Sequence, residues 1–521
     1  MPRFGPGVPV LCQTDMAEAA NMTLRLGLLG LALTLFSGCV TSRGALCPAE
    51  GGLPWREVRS SHFRVRTNLE EKAAVQTAVE LEEFRRALLL AWGPGFDPPG
   101  TVDVILLSNP RDLEEFTDGR YAGFVGQTGD GPRMVMTGGG GYLLPDAPGD
   151  KETQAHELAH YLSAFALPRQ SRWVAEGLAS YLQTVTIKPS TRDVVLGQAS
   201  RPLLQYVRTH GWLTLDELWQ WDGQTQQSTA ELQRHYASSW LWVHYLINEY
   251  GDRFSAFQNR LARGEEPRSA FAAAFQGETG FQAALANYVQ LGRYAISTQP
   301  LPPVPTQTQT RALASADVHV IRANLFTSAP GDVPPAERQR KADLELDQAL
   351  KEDPTHVETQ RLRVEKLDKA ERLKLTRLLV EKHPEDGLAW DLLANALEAE
   401  GEKGEPQEQA RLRTAQLLPD SPAAQNDLAW YYARTEQPQK GLAPALRAVR
   451  LMPGNAAILN TQAALFFQVG RCREAVSMAR RALDMLHERT SDQARQQFKK
   501  LVTVFETQCT PAPSESSAKS G

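Results

Sequence analysis

Thr153-Gln-Ala-His156-Glu157-Leu158-Ala-His160-Tyr-Leu162-Ser-Ala-Phe165, followed by Trp173-Val-Ala-Glu176-Gly177-Leu-Ala-Ser-Tyr181, is the stretch on which the reading of this chain turns. Residues four apart share one face of a helix, so the His156 and His160 imidazoles can reach a single metal ion. Glu157 then sits close enough to take a proton from a water held beside that ion. Catalytic zinc takes three protein ligands and keeps a fourth position open, and Glu176 supplies an acidic third ligand. Leu158, Leu162 and Phe165 form an apolar stripe, which packs the first helix on a core. Pro168 ends that helix, Arg169-Gln-Ser-Arg172 is a polar turn, and a second amphipathic helix is predicted from Trp173 to about Gln183. A glutamate on so apolar a helix needs a partner. Gly177 beside it costs helix stability, which makes sense if a close backbone approach is needed there, and a metal would explain both residues.

His156-Glu-Leu-Ala-His-Tyr-Leu162 followed by Arg172-Trp-Val-Ala-Glu-Gly-Leu-Ala-Ser-Tyr-Leu182 resembles the gluzincin metallopeptidases of the peptidase-MA-like branch, over roughly residues 54–297. The resemblance implies a zinc ion on His156, His160 and Glu176, with Glu157 as the general base. It also implies a downstream Tyr or His that stabilises the oxyanion. Tyr236 is the candidate, with His235 as its substitute, in a segment similar to the family's tyrosine-bearing helix. Aminopeptidases of that superfamily carry a Gly-x-Met-Glu-Asn motif ahead of the zinc helix. Here Gly131-Pro-Arg-Met-Val-Met-Thr-Gly138-Gly-Gly-Gly141 lacks the glutamate, so an endopeptidase is the better expectation. Met134–Thr137 reads as a short apolar strand that could line a groove and pair with an extended peptide. The four glycines after it read as a flexible loop.

The N-terminal region carries an address. Met22-Thr-Leu-Arg25 is a short basic start, and the apolar run Leu26–Phe36 is too short for a mature membrane span. Leu35-Phe-Ser-Gly-Cys39 resembles a bacterial lipoprotein signal with Cys39 acylated. Residues 1–39 are therefore expected to be a signal region, with translation starting at Met16 or Met22, and 40–53 a tether. Val40, not aspartate, after the cysteine implies outer-membrane delivery, and so a lipid-anchored protein of the bacterial cell envelope facing periplasm or exterior. Cys472 and Cys509 could bridge in such an oxidising compartment.

The 521 residues carry a net charge of −5, which gives no reason to expect nucleic-acid binding. Ahead of the histidine helix, His62–Arg66 and Thr101–Leu107 read as strands and Glu70–Trp92 as a long amphipathic helix. From Arg201 to Tyr294 the pattern is helical. The expected fold class is thus an α+β zincin-like catalytic domain (54–297, a small sheet lobe plus a helical lobe) followed by an all-α tetratricopeptide-repeat solenoid. Residues 298–312 are rich in Pro, Thr and Gln and read as a linker. Beyond it Pro354, Pro384, Pro419 and Pro453 each close a helical segment, the last two intervals being 35 and 34 residues, the tetratricopeptide period. Resemblance to those repeats is clearest near the C-terminus; the repeat domain is expected over 313–507, able to fold by itself and to bind a protein partner. Residues 508–521 are expected to be a disordered tail. Two functions follow from these residues: an envelope-anchored zinc metallopeptidase acting on peptide or protein substrates, or a catalytically silent scaffold lipoprotein whose repeats do the work.

Overall fold

The computed structural model describes residues 45–93, 95–117, 123–128, 131–137, 149–221, 228–292, 294–331, 333–402, 404–486 and 490–509. Cys39 and the rest of the signal, the Gly138–Gly141 run and residues 510–521 lie outside the described residues.

A six-stranded mixed sheet is the centre of the first lobe. Its strands are β1 (Arg56–Arg59), β2 (Phe63–Thr67), β3 (Val102–Leu107), β4 (Gly123–Thr128), β5 (Gly131–Thr137) and β9 (Gln309–Ala312). They lie in the order β4-β5-β3-β2-β1-β9. The β2, β3 and β5 strands run parallel, while β4, β1 and β9 pair antiparallel with their neighbours. Successive side chains of a strand point to opposite faces, and here both faces are buried. Val102, Val104 and Leu106 of β3, with Met134 and Met136 of β5, meet the helices α1 (Glu71–Leu89) and α3 (Gly149–Ala166). Ile105 and Leu107, with Val135, meet α2 (Pro110–Glu114) and two later helices, α11 (Ser315–Ser328) and α12 (Pro335–Glu352).

After α3 come α4 (Arg172–Leu182), β6 (Thr186–Ile187), β7 (Asp193–Leu196), α5 (Arg201–His210), α6 (Leu215–Trp219), α7 (Thr229–Glu249), α8 (Gly251–Ala262), α9 (Pro267–Ala274) and α10 (Phe281–Leu291). Trp173, Val174 and Leu178 of α4 join Trp240, Trp242 and Tyr245 of α7 in a second core. Ala179 and Leu182 of the same helix reach the sheet-side core. The α4 helix therefore lies on the seam between a sheet-side core and a helical core.

The segment expected to be a free linker is stitched in at both ends. β8 (Ser297–Pro300) pairs with β7, and β9 pairs with β1 to form the far edge of the large sheet. At these two ends Thr298, Gln309 and Thr310 are exposed while the backbone groups join ladders, which satisfies them without an apolar pattern.

A repeat-like stack of helices follows: α11 packs on α12, α15 (Gly387–Glu400) on α16 (Glu405–Leu417), α17 (Pro422–Arg434) on α18 (Pro438–Leu451) and α19 (Ala456–Gln468) on α20 (Cys472–Asp484). Between α12 and α15 come α13 (Val357–Arg363) and α14 (Lys369–Lys382), of which α14 packs on α15, and α21 (Asp492–Cys509) closes on α20. Each of the four spaced prolines sits in the turn after a second helix. Its carbonyl accepts a hydrogen bond from a later side chain: Gln360 on Pro354, Trp390 on Pro384, Arg447 on Pro419 and Arg481 on Pro453. Leu397, Leu428, Tyr432, Ala448 and Ala482 of the stack are buried. A disulfide between Cys472 and Cys509, Cα atoms 5.5 Å apart, ties α21 to α20. No helix among the described residues is long and apolar enough to cross a membrane.

The boundary at 313 needs correcting. Because α11 and α12 cover one face of the sheet, the first hairpin of the stack belongs to the core of the first lobe. The far end of the stack also returns to that lobe. A Cβ on Gly454 would lie 2.6 Å from Pro168 Cβ, in the turn between α3 and α4, and Arg169 Nη1 is 3.9 Å from Asp484 Oδ1.

Candidate metal centre

The α3 helix presents His156 and His160 on one face, and α4 brings Glu176 to meet them. His160 Nε2 lies 3.1 Å from His156 Nε2 and 3.2 Å from Glu176 Oε2; His156 Nε2 is 3.6 Å from the same oxygen. Ligand atoms around a tetrahedral ion bound at about 2.0–2.1 Å stand about 3.3–3.4 Å apart. The three separations fall around that value. Two ring nitrogens facing each other cannot both offer lone pairs without a proton or a cation between them. Glu176 Oε2 is buried and makes no well-formed hydrogen bond. An orphaned carboxylate oxygen aimed at two imidazoles is a donor set that fits a zinc ion.

The surroundings orient these ligands. His156 Nδ1 is 2.9 Å from Gln183 Oε1, so an N–H donated there leaves Nε2 as the free lone pair. Burial alone would raise the Glu176 carboxyl, but the His160 and His156 rings hold it well below the usual carboxylate range. Arg172 Nε stands one turn earlier, 4.0 Å from Glu176 Oε1, with its guanidinium 4.3 Å over the Trp221 ring. Gly177 is explained by packing and not by the metal. A Cβ there would come within 2.5 Å of Ser239 O and Val243 Cγ2, so the glycine lets α4 lie directly on α7.

Glu157 is 7% exposed, and burial raises its carboxyl to about 7, with His156 opposing and Glu176 adding to the rise. A general base is most effective near the working pH. Gly123 of β4 lies against it: a Cβ there would be 3.3 Å from Glu157 Oε1 and 2.9 Å from Val135 O. The outer edge of the sheet thus meets the base. This corrects the role expected for Met134–Thr137. The β5 strand lies between β4 and β3, its ladder groups taken on both sides, so among the described residues the sheet edge at the site is β4.

Tyr236 and His235 lie near the start of α7, on the Trp221 ring at centroid distances of 5.6 and 4.7 Å. His235 Nδ1 is 2.8 Å from Glu231 O. Trp221 and Arg172 link both residues to Glu176. Gln183, Arg172 and Gly123 were not singled out from the sequence. Gln183 and Arg172 lie seven residues after and four before Glu176, on the same helical face, and that spacing could have found them. Nothing local marked Gly123.

No protein-family model matches this chain, and no curated protein matches it. Among solved structures it is similar to a thermophilic tetratricopeptide-repeat protein of Thermus thermophilus, at 18% identity and a TM-score of 0.26, over 32% of this chain and 92% of that one.

Proposed function

We propose that this chain is a zinc-dependent endopeptidase whose repeats recruit a protein substrate or partner, held at the bacterial envelope by a lipid on Cys39. The observation that carries the proposal is the convergence of His156, His160 and Glu176, each offering one ligand atom within 4.8 Å of the others, beside a buried Glu157. A zinc ion on these three residues would supply Lewis acidity and make a bound water more acidic. The chain's own groups do the rest. Glu157 takes the proton from the attacking water and hands it to the leaving nitrogen. Edge strand β4 offers ladder groups to an extended peptide, which lays a peptide bond beside Glu157. Tyr236 is assigned the oxyanion, to which its hydroxyl would donate. The envelope anchor rests on the signal-like Leu35–Cys39 run, and fatty-acid labelling at Cys39 tests it.

A scaffold role is supported by the repeat-like stack, an architecture that suits binding an extended partner. One experiment separates the two readings. Glu157→Gln keeps the shape of the side chain and removes the base, so zinc content should stay constant while cleavage of an unfolded protein such as casein falls by ~10²-fold or more. Wild-type chain that binds zinc and cleaves nothing would leave the scaffold reading. Cleavage surviving in Glu157→Gln would overturn the mechanism.

A further inference from the structure

On the α11/α12 side of the sheet, Cys47, His319 and Glu352 each bring one ligand atom to within 4.8 Å of the others. They come from three separate segments: the irregular stretch before β1, the second turn of α11 and the last residue of α12. Cys47 is wholly buried and is a free thiol, and the His319 side chain is 2% exposed. The thiol Sγ is 3.7 Å from Ser315 O. His319 Nδ1 is held by Glu345 Oε2 at 2.7 Å, which leaves Nε2 facing Glu352 Oε1 at 3.8 Å. Glu345 is itself fixed by Arg322 Nε at 2.8 Å, and Arg322 Nη1 reaches Ala45 O at 2.6 Å.

We infer that Cys47, His319 and Glu352 form a second, structural metal site, taking zinc or a similar borderline divalent cation. The donor set is thiolate, imidazole and carboxylate, all ordinary zinc ligands. A carboxylate on the far nitrogen of the histidine is the usual outer partner of such a ligand, fixing its tautomer and orientation. The Glu352 side chain is 32% exposed, so the fourth position opens toward solvent. Residues 45–55 have little regular structure of their own, one three-residue 3₁₀ turn, yet Ala45, Cys47 and Trp55 are packed into the core that joins the sheet to α11 and α12. A metal there would staple the segment following the expected anchor to the first helical hairpin. The inference does not depend on the peptidase reading.

The test uses the full chain with Cys12→Ser and Cys39→Ser, which leaves Cys47 as the one thiol outside the disulfide among the five cysteines. His156→Ala and His160→Ala are added to remove the first site. Loaded with cobalt, this variant should bind about one ion per chain and show thiolate-to-cobalt charge-transfer absorption. Cys47→Ser should abolish both signals. Glu345→Gln should weaken metal binding by about 10–100-fold while leaving the absorption in place at saturation. Glu352→Gln, at the exposed rim, serves as the ligand variant that keeps the fold, and it should weaken binding without removing the thiolate band. A cobalt-free double-histidine variant with an intact fold would overturn the proposal, as would a charge-transfer band that survives Cys47→Ser.

Discussion

His244 shows what a histidine does when it is not a ligand. Its ring is fully buried on α7, with Nδ1 2.6 Å from the Tyr288 hydroxyl and the rings of Tyr181, Trp240 and Tyr294 around it. Burial pushes it down to about 4, against about 6.5 in an unfolded chain. The folded state therefore keeps the neutral ring, and between those values the unfolded chain binds more protons. The stability from this group is complete above about pH 6.5 and is lost as pH falls toward 4, amounting to about 2 kcal/mol by pH 5. His244→Phe should flatten the dependence of Tm on pH between 6.5 and 4, relative to wild type. Parallel pH profiles for the two would show that the ring does not titrate as described. At this scale the candidate site was largely legible, because His156, Glu157, His160 and Glu176 announce themselves by helical spacing. Gly177 signals a close approach, but the sequence points to the metal for it, whereas its reason lies in Ser239, more than sixty positions away. Local spacing carries no information on such a partner.

Strand β4 holds the element-scale lesson. Gly123-Phe-Val-Gly-Gln-Thr128 carries two glycines and reads weakly as a strand, whereas the apolar run of β5 reads strongly. The sequence thus points to the better strand former for substrate pairing, yet sheet order puts the weaker one at the edge. Order within a sheet depends on long-range pairing, which β propensity does not report. The small residue at 123 now has a role, since it lets the edge pass against Glu157. A Cβ at 123 would sit 2.9 Å from the Val135 carbonyl oxygen and 3.3 Å from Glu157, so Gly123→Ala would push β4 off β5 and displace the Glu157 side chain. Misplacement of a reacting group by about 1 Å can cost ~10²-fold, so a several-fold loss in kcat/KM at unchanged zinc content is expected. Full activity in Gly123→Ala would mean that the contact between edge and base does not bear on the chemistry.

Across the whole molecule, the division into an independent catalytic domain and an independent repeat domain does not survive the second face of the sheet. The run Val102-Asp-Val-Ile-Leu-Leu107 reads as a strand buried on both sides, and every residue of β3 is buried. A strand buried on both sides needs two covers, and the sequence identified helices for one face alone. The other cover, α11 and α12, lies some 200 residues later behind a segment whose composition looked like a spacer. Chain ending at Ala312 would expose Ile105, Leu107, Leu113, Phe116 and Val135, which α11 and α12 help to bury. At about 1.5–3 kcal/mol for each large apolar side chain, the loss is on the order of 10 kcal/mol. A whole domain is stable by only about 5–15 kcal/mol. Residues 45–312 should therefore aggregate or melt without a cooperative transition, while 45–353, which keeps the hairpin, should be soluble and melt cooperatively. Scanning calorimetry and size exclusion on the two fragments decide the matter. A monomeric, cooperatively folded 45–312 would restore the boundary at 313 and make the hairpin dispensable to the sheet.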